Sequence, residues 1–182
     1  DSRIDLFFGL AVHEYLANFA GPDALAEERL TYSIDGWLIH GTPDHVDWLH
    51  ASEGVLTDWK TTRVRALRYD KPEWEAQVNL YAHLLRLNGF PVELVQVKAF
   101  LKDWDRALLG QEGYPRAPIV HVPVPLWDAE RAHSYLIGRL RLHKLAARGF
   151  YPPCTDEERW LHTSYAVMSK REGSVRATRV FD

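Results

Sequence analysis

Residues 41–61 read Gly-Thr-Pro-Asp-His-Val-Asp-Trp-Leu-His-Ala-Ser-Glu-Gly-Val-Leu-Thr-Asp-Trp-Lys-Thr. Two runs rich in β-branched and aromatic residues, 44–50 and 55–61, flank the turn signal Ala51-Ser52-Glu53-Gly54. The pattern predicts an antiparallel pair of strands, whose ends bring Asp44, near the start of one, to Asp58, near the end of the next. Lys60 follows Asp58 by two residues, and on a strand residues i and i+2 face the same side. Two carboxylates and an ammonium therefore share one cleft. Carboxylate oxygens so placed suit a hard divalent cation. A lysine beside such a cation can position a water and offset charge building on a phosphate. Trp59 turns its side chain to the core and leaves its backbone carbonyl free as a further oxygen ligand. On an ordinary surface Asp-x-Lys is only an ion pair of little consequence, so its neighbours decide its meaning.

Upstream, residues 29–40 read as a strand, which makes 29–61 an antiparallel meander, and residues 4–19 carry apolar residues at helical spacing until Gly21-Pro22-Asp23 breaks them. Downstream, residues 62–70 are basic and irregular. A helix is predicted over 72–88, with Pro72 in its first turn and Gly89 as its stop. Strands follow at 92–101 and 118–124, separated by a loop rich in Gly and Pro, then a helix at 126–148. The end of the chain reads as two short strands about a polar turn at 170–174. The order helix, three strands, helix, strand, strand, helix predicts an α/β fold, a mixed central β-sheet flanked by helices. With 182 residues, one domain is expected over 1–182, its core about 5–149 and a C-terminal β-hairpin appendage about 150–182.

A composition 46% hydrophobic and 26% charged is that of a globular chain able to bury a core without disulfides or structural metal. The one cysteine, Cys154, excludes an internal disulfide and a four-thiolate cluster, and suits a reducing compartment. A net charge of −3 gives no bulk support for nucleic-acid binding, so any such contact rests on a local basic patch or on cations held by acidic groups. The candidate patches are Arg63, Arg65 and Arg68 after the cluster, a basic helix with Arg131, Arg139, Arg141, Lys144 and Arg148 that reads mainly as a solvated face, and Lys170, Arg171, Arg176 and Arg179 at the end. No run approaches the roughly 18 to 20 apolar residues that span a membrane, and no signal peptide is visible. The expected location is cytoplasmic. The opening Asp1-Ser2-Arg3 reads as a start inside a longer chain. The phosphate-binding pattern GxxxxGK[ST] is absent from these residues, which puts any motor on another chain or outside this stretch.

Pro43-Asp44 and, 14 residues on from that aspartate, Asp58-Trp59-Lys60 resemble the two signature elements of the PD-(D/E)xK nuclease superfamily, which has a restriction-endonuclease-like core. Two more motifs, in the same chain order, resemble the RecB-like branch: Gly9-Leu10-Ala11-Val12-His13 matches its G-x-x-x-H, and Gln77-Val78-Asn79-Leu80-Tyr81 its Q-x-x-x-Y. The resemblance implies Mg²⁺ or Mn²⁺ on His13, Asp44, Asp58 and the Trp59 carbonyl, with Asp44, Asp58 and Lys60 catalytic and Lys60 orienting the attacking water. Gln77 and Tyr81, four apart, lie on one helix face. The resemblance puts that face on the DNA strand, Gln77 bonding a phosphate or Lys60, and Tyr81 stacking on a base or donating to a phosphate; as plain structure, Tyr81 is core. Thr61 and Arg63 are expected as further DNA contacts, with a solvated basic loop as the alternative reading. Many RecB-like relatives, CRISPR-associated ones included, hold an iron–sulfur cluster on four cysteines. Cys154 alone cannot do so, and the chain looks more like the cluster-free exonucleases often encoded by phages. The implied activity is metal-dependent DNA hydrolysis, an exonuclease leaving 5′-phosphates in recombination, repair or phage DNA processing in a bacterial or phage-infected cell. A helicase, recombinase or annealing protein is the implied partner. Two competing expectations are a catalytically inactive DNA-binding module on the same fold, and a structural Ca²⁺ on Asp44 and Asp58.

Overall fold

In the computed structural model, which describes residues 2–48, 53–156, 158, 159, 165–168 and 177–181, the segment carrying Asp58 and Lys60 becomes the middle strand of a mixed sheet. The order in that five-stranded sheet is β1 (Ala24–Ala26), β4 (His45–Trp48), β5 (Gly54–Thr62), β6 (Leu94–Leu101), β7 (Ile119–Pro123). β5 and β6 run parallel, and the other neighbours are antiparallel. Leu56, Thr57, Asp58 and Trp59 are all buried, as a strand covered on both faces requires. This is the mixed α/β sheet that the element order predicts.

Helix α2 (Pro72–Leu87) is the crossover that allows β5 and β6 to run parallel. It starts on Pro72, whose missing N–H costs nothing in the first turn. It ends with Gly89 at φ 85, where Gly89 N–H donates to the Arg86 carbonyl and Phe90 N–H to that of Leu85. Val78, Ala82 and Leu85, spaced i, i+4, i+7, belong to one core with Val46, Leu56, Val95 and Val97. Each fully buried Val or Leu contributes about 1.5–3 kcal/mol. Asn79, on the same helix, is buried and fully bonded: its Nδ2 donates to the carbonyls of Glu75 (2.9 Å) and Pro125 (3.0 Å), and its Oδ1 accepts from Trp127 N–H (2.7 Å). It thereby fastens the segment that leads into α3 (Ala129–Ala147). Gly54 opens β5 flush against the chain at Pro91; a Cβ there would lie 2.1 Å from the Pro91 carbonyl oxygen.

Three expectations change. Residues 29–40 are two strands, β2 (Leu30–Ile34) and β3 (Trp37–Gly41), forming a hairpin with its own two-stranded sheet. Asp35 and Gly36 lie between them at φ 50 and 76, the paired positive values of a tight type I′ turn. The meander over 29–61 therefore breaks at Thr42-Pro43, and the edge of β4 pairs with the three-residue strand β1 instead. Residues 62–70, read as irregular, contain a 3-10 helix, Val64–Arg68. Of the turn signal Ala51-Ser52-Glu53-Gly54, residues 51 and 52 lie outside the described residues.

The chain divides into two compact units, Asp1–Leu136 and Ile137–Asp182. The first holds the five-stranded sheet and the β2–β3 hairpin. The second holds the end of α3 and the antiparallel pair β8 (Tyr165–Met168) and β9 (Ala177–Phe181). The polar turn read at 170–174, with Lys170 and Arg171, lies outside the described residues, as does Arg176.

Candidate active site

Pairing of β4 with β5 sets His45 opposite Thr57, so Asp44, one residue ahead, meets Asp58. Both aspartates are buried, Asp58 completely. Asp44 Oδ2 accepts from the Trp59 backbone N–H at 2.7 Å. Lys60 Nζ donates to Asp58 Oδ1 at 3.2 Å and lies 2.9 Å from Oδ2. That second contact is off the hydrogen-bonding angle, and Oδ2 has no hydrogen bond among the described residues. Lys60 also donates to Gln77 Oε1 at 2.8 Å, and Gln77 Nε2 donates to the Tyr81 hydroxyl at 3.3 Å. The cleft shared by Asp44, Asp58 and Lys60 thus extends, through one lysine, to the Gln77–Tyr81 face of α2.

His13 reaches this cleft from α1 (Ser2–Ala17). Gly9 lets the helix come close: a Cβ there would stand 3.3 Å from the Thr61 hydroxyl oxygen on β5. An ion pair of Lys102 with Asp5, 2.6 Å long, ties the first turn of α1 beside the end of β6, and that bond holds the Asp5 carboxyl below its usual range. One turn beyond Gly9, His13 Nε2 lies 2.9 Å from the Trp59 carbonyl. A carbonyl only accepts, so Nε2 carries the proton. The carbonyl expected as a free ligand is therefore engaged in orienting the imidazole, a role that backbone carbonyls often play beside metals. Nδ1 is left facing Glu27 Oε1 at 3.1 Å and Asp44 Oδ1 at 3.6 Å.

Glu27 is the site residue that sequence reasoning missed. It follows β1 at φ 52, an uncommon conformation for a glutamate. Its own N–H donates to the Asp44 backbone carbonyl at 3.2 Å. His13, Glu27 and Asp44 each offer one ligand atom within 4.8 Å of the others. Asp58 is not in that triple; it faces Lys60. Among the other expected contacts, Thr61 sits under Gly9, on the strand face opposite to Asp58 and Lys60, and Arg63 is exposed just before the 3-10 helix. The Trp59 side chain is buried as expected, stacked on His45 with centroids 5.4 Å apart and edge-on to His13 at 6.0 Å. Of the basic helix, Arg131 packs over Trp127 and pairs with Glu75, and Arg139 pairs with Glu158.

Burial opposes the charged forms of both aspartates. Burial, then the charge of Asp58, raises the Asp44 carboxyl to about 6 against the partial relief from Trp59 N–H, His13 and Lys60. Burial also raises Asp58, with Lys60 opposing it. The Asp44 carboxylate, Glu27 and the His13 imidazole nitrogen facing them form a donor set that fits a divalent ion, whose charge would offset the cost of burying Asp44.

The family model described as the PD-(D/E)XK nuclease superfamily matches residues 3–160. A solved structure described as "Crystal structure of SSO0001" aligns at 18% identity over 74% of this chain with a TM-score of 0.45; the chain spans 59% of that structure's length. No curated protein matches in a sequence search. With the match running from α1 through the cleft and past α3, the chain belongs to the PD-(D/E)XK nuclease superfamily.

Proposed function

We propose that the chain is a metal-dependent DNA nuclease of the RecB-like branch. One observation carries the reading: Lys60 Nζ is held between Asp58 and Gln77, while Asp44, which meets Asp58 across the strand pair, groups with His13 and Glu27. A lysine has three protons. Two are engaged here, and the third is available to a water or a phosphate oxygen. Asp58 aims the amine, and Gln77 fixes its direction from α2. His13, Asp44 and Glu27, with Asp58 nearby, would hold Mg²⁺ or Mn²⁺. A bound ion supplies positive charge against that accumulating on the scissile phosphate. The positions of Gly9 against β5 and of Gln77 on Lys60 support the RecB-like assignment, because they give both branch motifs work at the same centre.

Within this proposal the products carry 5′-phosphates and the activity is exonucleolytic, serving recombination, repair or phage DNA processing in the cytoplasm. A helicase, recombinase or annealing protein would act with it on another chain. No helix among the described residues is long and apolar enough to cross a membrane. The test is incubation of end-labelled linear and circular DNA, single- and double-stranded, with Mn²⁺ or with chelator. Metal-dependent loss of label from linear DNA, abolished by Lys60→Ala, is the expected result. Full cleavage by Lys60→Ala would refute the role of the lysine. A metal-independent gel shift without cleavage would point instead to a DNA-binding module.

A further inference from the structure

Between the β2–β3 hairpin and α2 lies a cavity of about 150 Å³. Tyr32 and Ile39 wall it from the hairpin, and Leu80, Tyr81 and Leu84 from the helix, with Gln77 at its edge. An apolar cavity of about this volume accepts one aromatic ring. No Asp, Glu, Lys or Arg is among the described residues that line it, so neither a phosphate nor a bare cation is its natural occupant. Its polar lining also includes His40 and Tyr32; the Gln77 amide and the Tyr81 hydroxyl are bonded to each other at 3.3 Å and suit the edge of a neutral heterocycle. Gly41 matters here as well. A Cβ on it would lie 3.0 Å from Tyr81 Cε1 and 3.1 Å from Cδ1, so the hairpin runs flush against the tyrosine ring and holds it in place.

The cavity is joined to the cleft by Gln77, which lines the one and accepts from Lys60 in the other. A nucleotide whose phosphate meets Lys60 would have its base within reach of the cavity. We propose that this is a nucleobase pocket, taking one unstacked pyrimidine of the strand being cut. The inference rests on the nuclease reading and sharpens it. A base paired in a duplex cannot enter, so the substrate is single-stranded or frayed at the cleavage point. Gln77 then does two things at once, contacting the base and steadying the lysine.

The experiment is photocrosslinking. Single-stranded oligonucleotides carrying 5-iodouracil at one position, walked along the sequence, are bound to the wild-type protein with Ca²⁺ in place of Mn²⁺ and irradiated. Peptide mass spectrometry then locates the adduct. The expected adduct is on Tyr32 or Tyr81 and appears in one register. An abasic site in that register should weaken binding about 5- to 150-fold, the range for loss of one base stacked on an aromatic side chain. Ile39→Trp, which fills the cavity, should lose the adduct, with a thermal melt confirming that it folds; Leu80→Phe serves if it does not. Adducts that map elsewhere, or survive these variants, or an abasic site tolerated at every position, would overturn the pocket while wild-type cleavage kept the nuclease reading intact. A wild-type protein that neither binds nor cuts DNA would remove both.

Discussion

Replacing Asp44 by Asn should make the metal-free protein more stable and the metal-loaded protein less so. The carboxyl of Asp44 is buried and its pKa stands at about 6, against 3.8 for the free side chain. The fold therefore favours the protonated form, and its stability falls as pH rises from about 4 to about 6 and is level above. About two units at about 1.4 kcal/mol each amount to roughly 3 kcal/mol lost at pH 7.5; at pH 4.5 the loss is only about 1 kcal/mol. Asn keeps an oxygen for the Trp59 N–H but gives up the charge on that bond, at a cost of about 1 kcal/mol. The net gain for Asp44→Asn in chelator at pH 7.5 is about 2 kcal/mol, or roughly 4 to 8 °C in melting temperature for a chain of this size. With Mn²⁺ at a hundred times its dissociation constant, the wild type recovers about 2.7 kcal/mol by mass action. The variant, lacking a carboxylate in the His13–Glu27–Asp44 group, recovers little. Melts followed by circular dichroism should show the variant above the wild type in chelator at pH 7.5, that order reversing with Mn²⁺, and the two proteins melting together in chelator at pH 4.5. A variant that melts below the wild type in chelator at pH 7.5, or that gains as much from Mn²⁺, would refute the reasoning.

Glu27→Gln should weaken Mn²⁺ binding about 10- to 100-fold by calorimetry, the size of effect seen when a group around a metal or its histidine is removed; unchanged affinity would take Glu27 out of the site. Gly54→Ala should destabilise the fold by more than about 2 kcal/mol, because its methyl would collide with backbone at Pro91 rather than with a side chain able to move. A urea midpoint equal to that of the wild type would show that β5 can shift.

The centre of the site was legible because it is local. A strand repeats every two residues, and a hairpin joins its own ends, so the sharing of one cleft by Asp44, Asp58 and Lys60 follows from spacing alone. The contact of Gln77 with Lys60 joins segments 17 residues apart, and only the resemblance to RecB-like motifs put them together beforehand. Glu27 escaped notice for a different reason. It arrives on a strand too short to show alternation and depends on one positive φ, and neither leaves a mark on the residue pattern. The β2–β3 hairpin was misread although its signal was present: Asp35-Gly36 is a turn dipeptide, but it sat inside a run whose flanks both favour strands. Asn79 carried no reading in the sequence: it is buried mid-helix because its three partners are backbone groups, invisible until the chain is folded.

Trp59 carries a consequence for how such a site would be dissected. Its N–H holds Asp44 and its carbonyl holds His13, so both of its services to the cleft come from main-chain atoms. Side-chain scanning would therefore see in Trp59 only a packing residue, and any loss on truncation would be traced to the stack on His45. The path of the backbone through residue 59 is the heritable element, and many residues can follow it. An amide-to-ester replacement at this position, which deletes the N–H and leaves the indole untouched, would reveal the contribution that no alanine can.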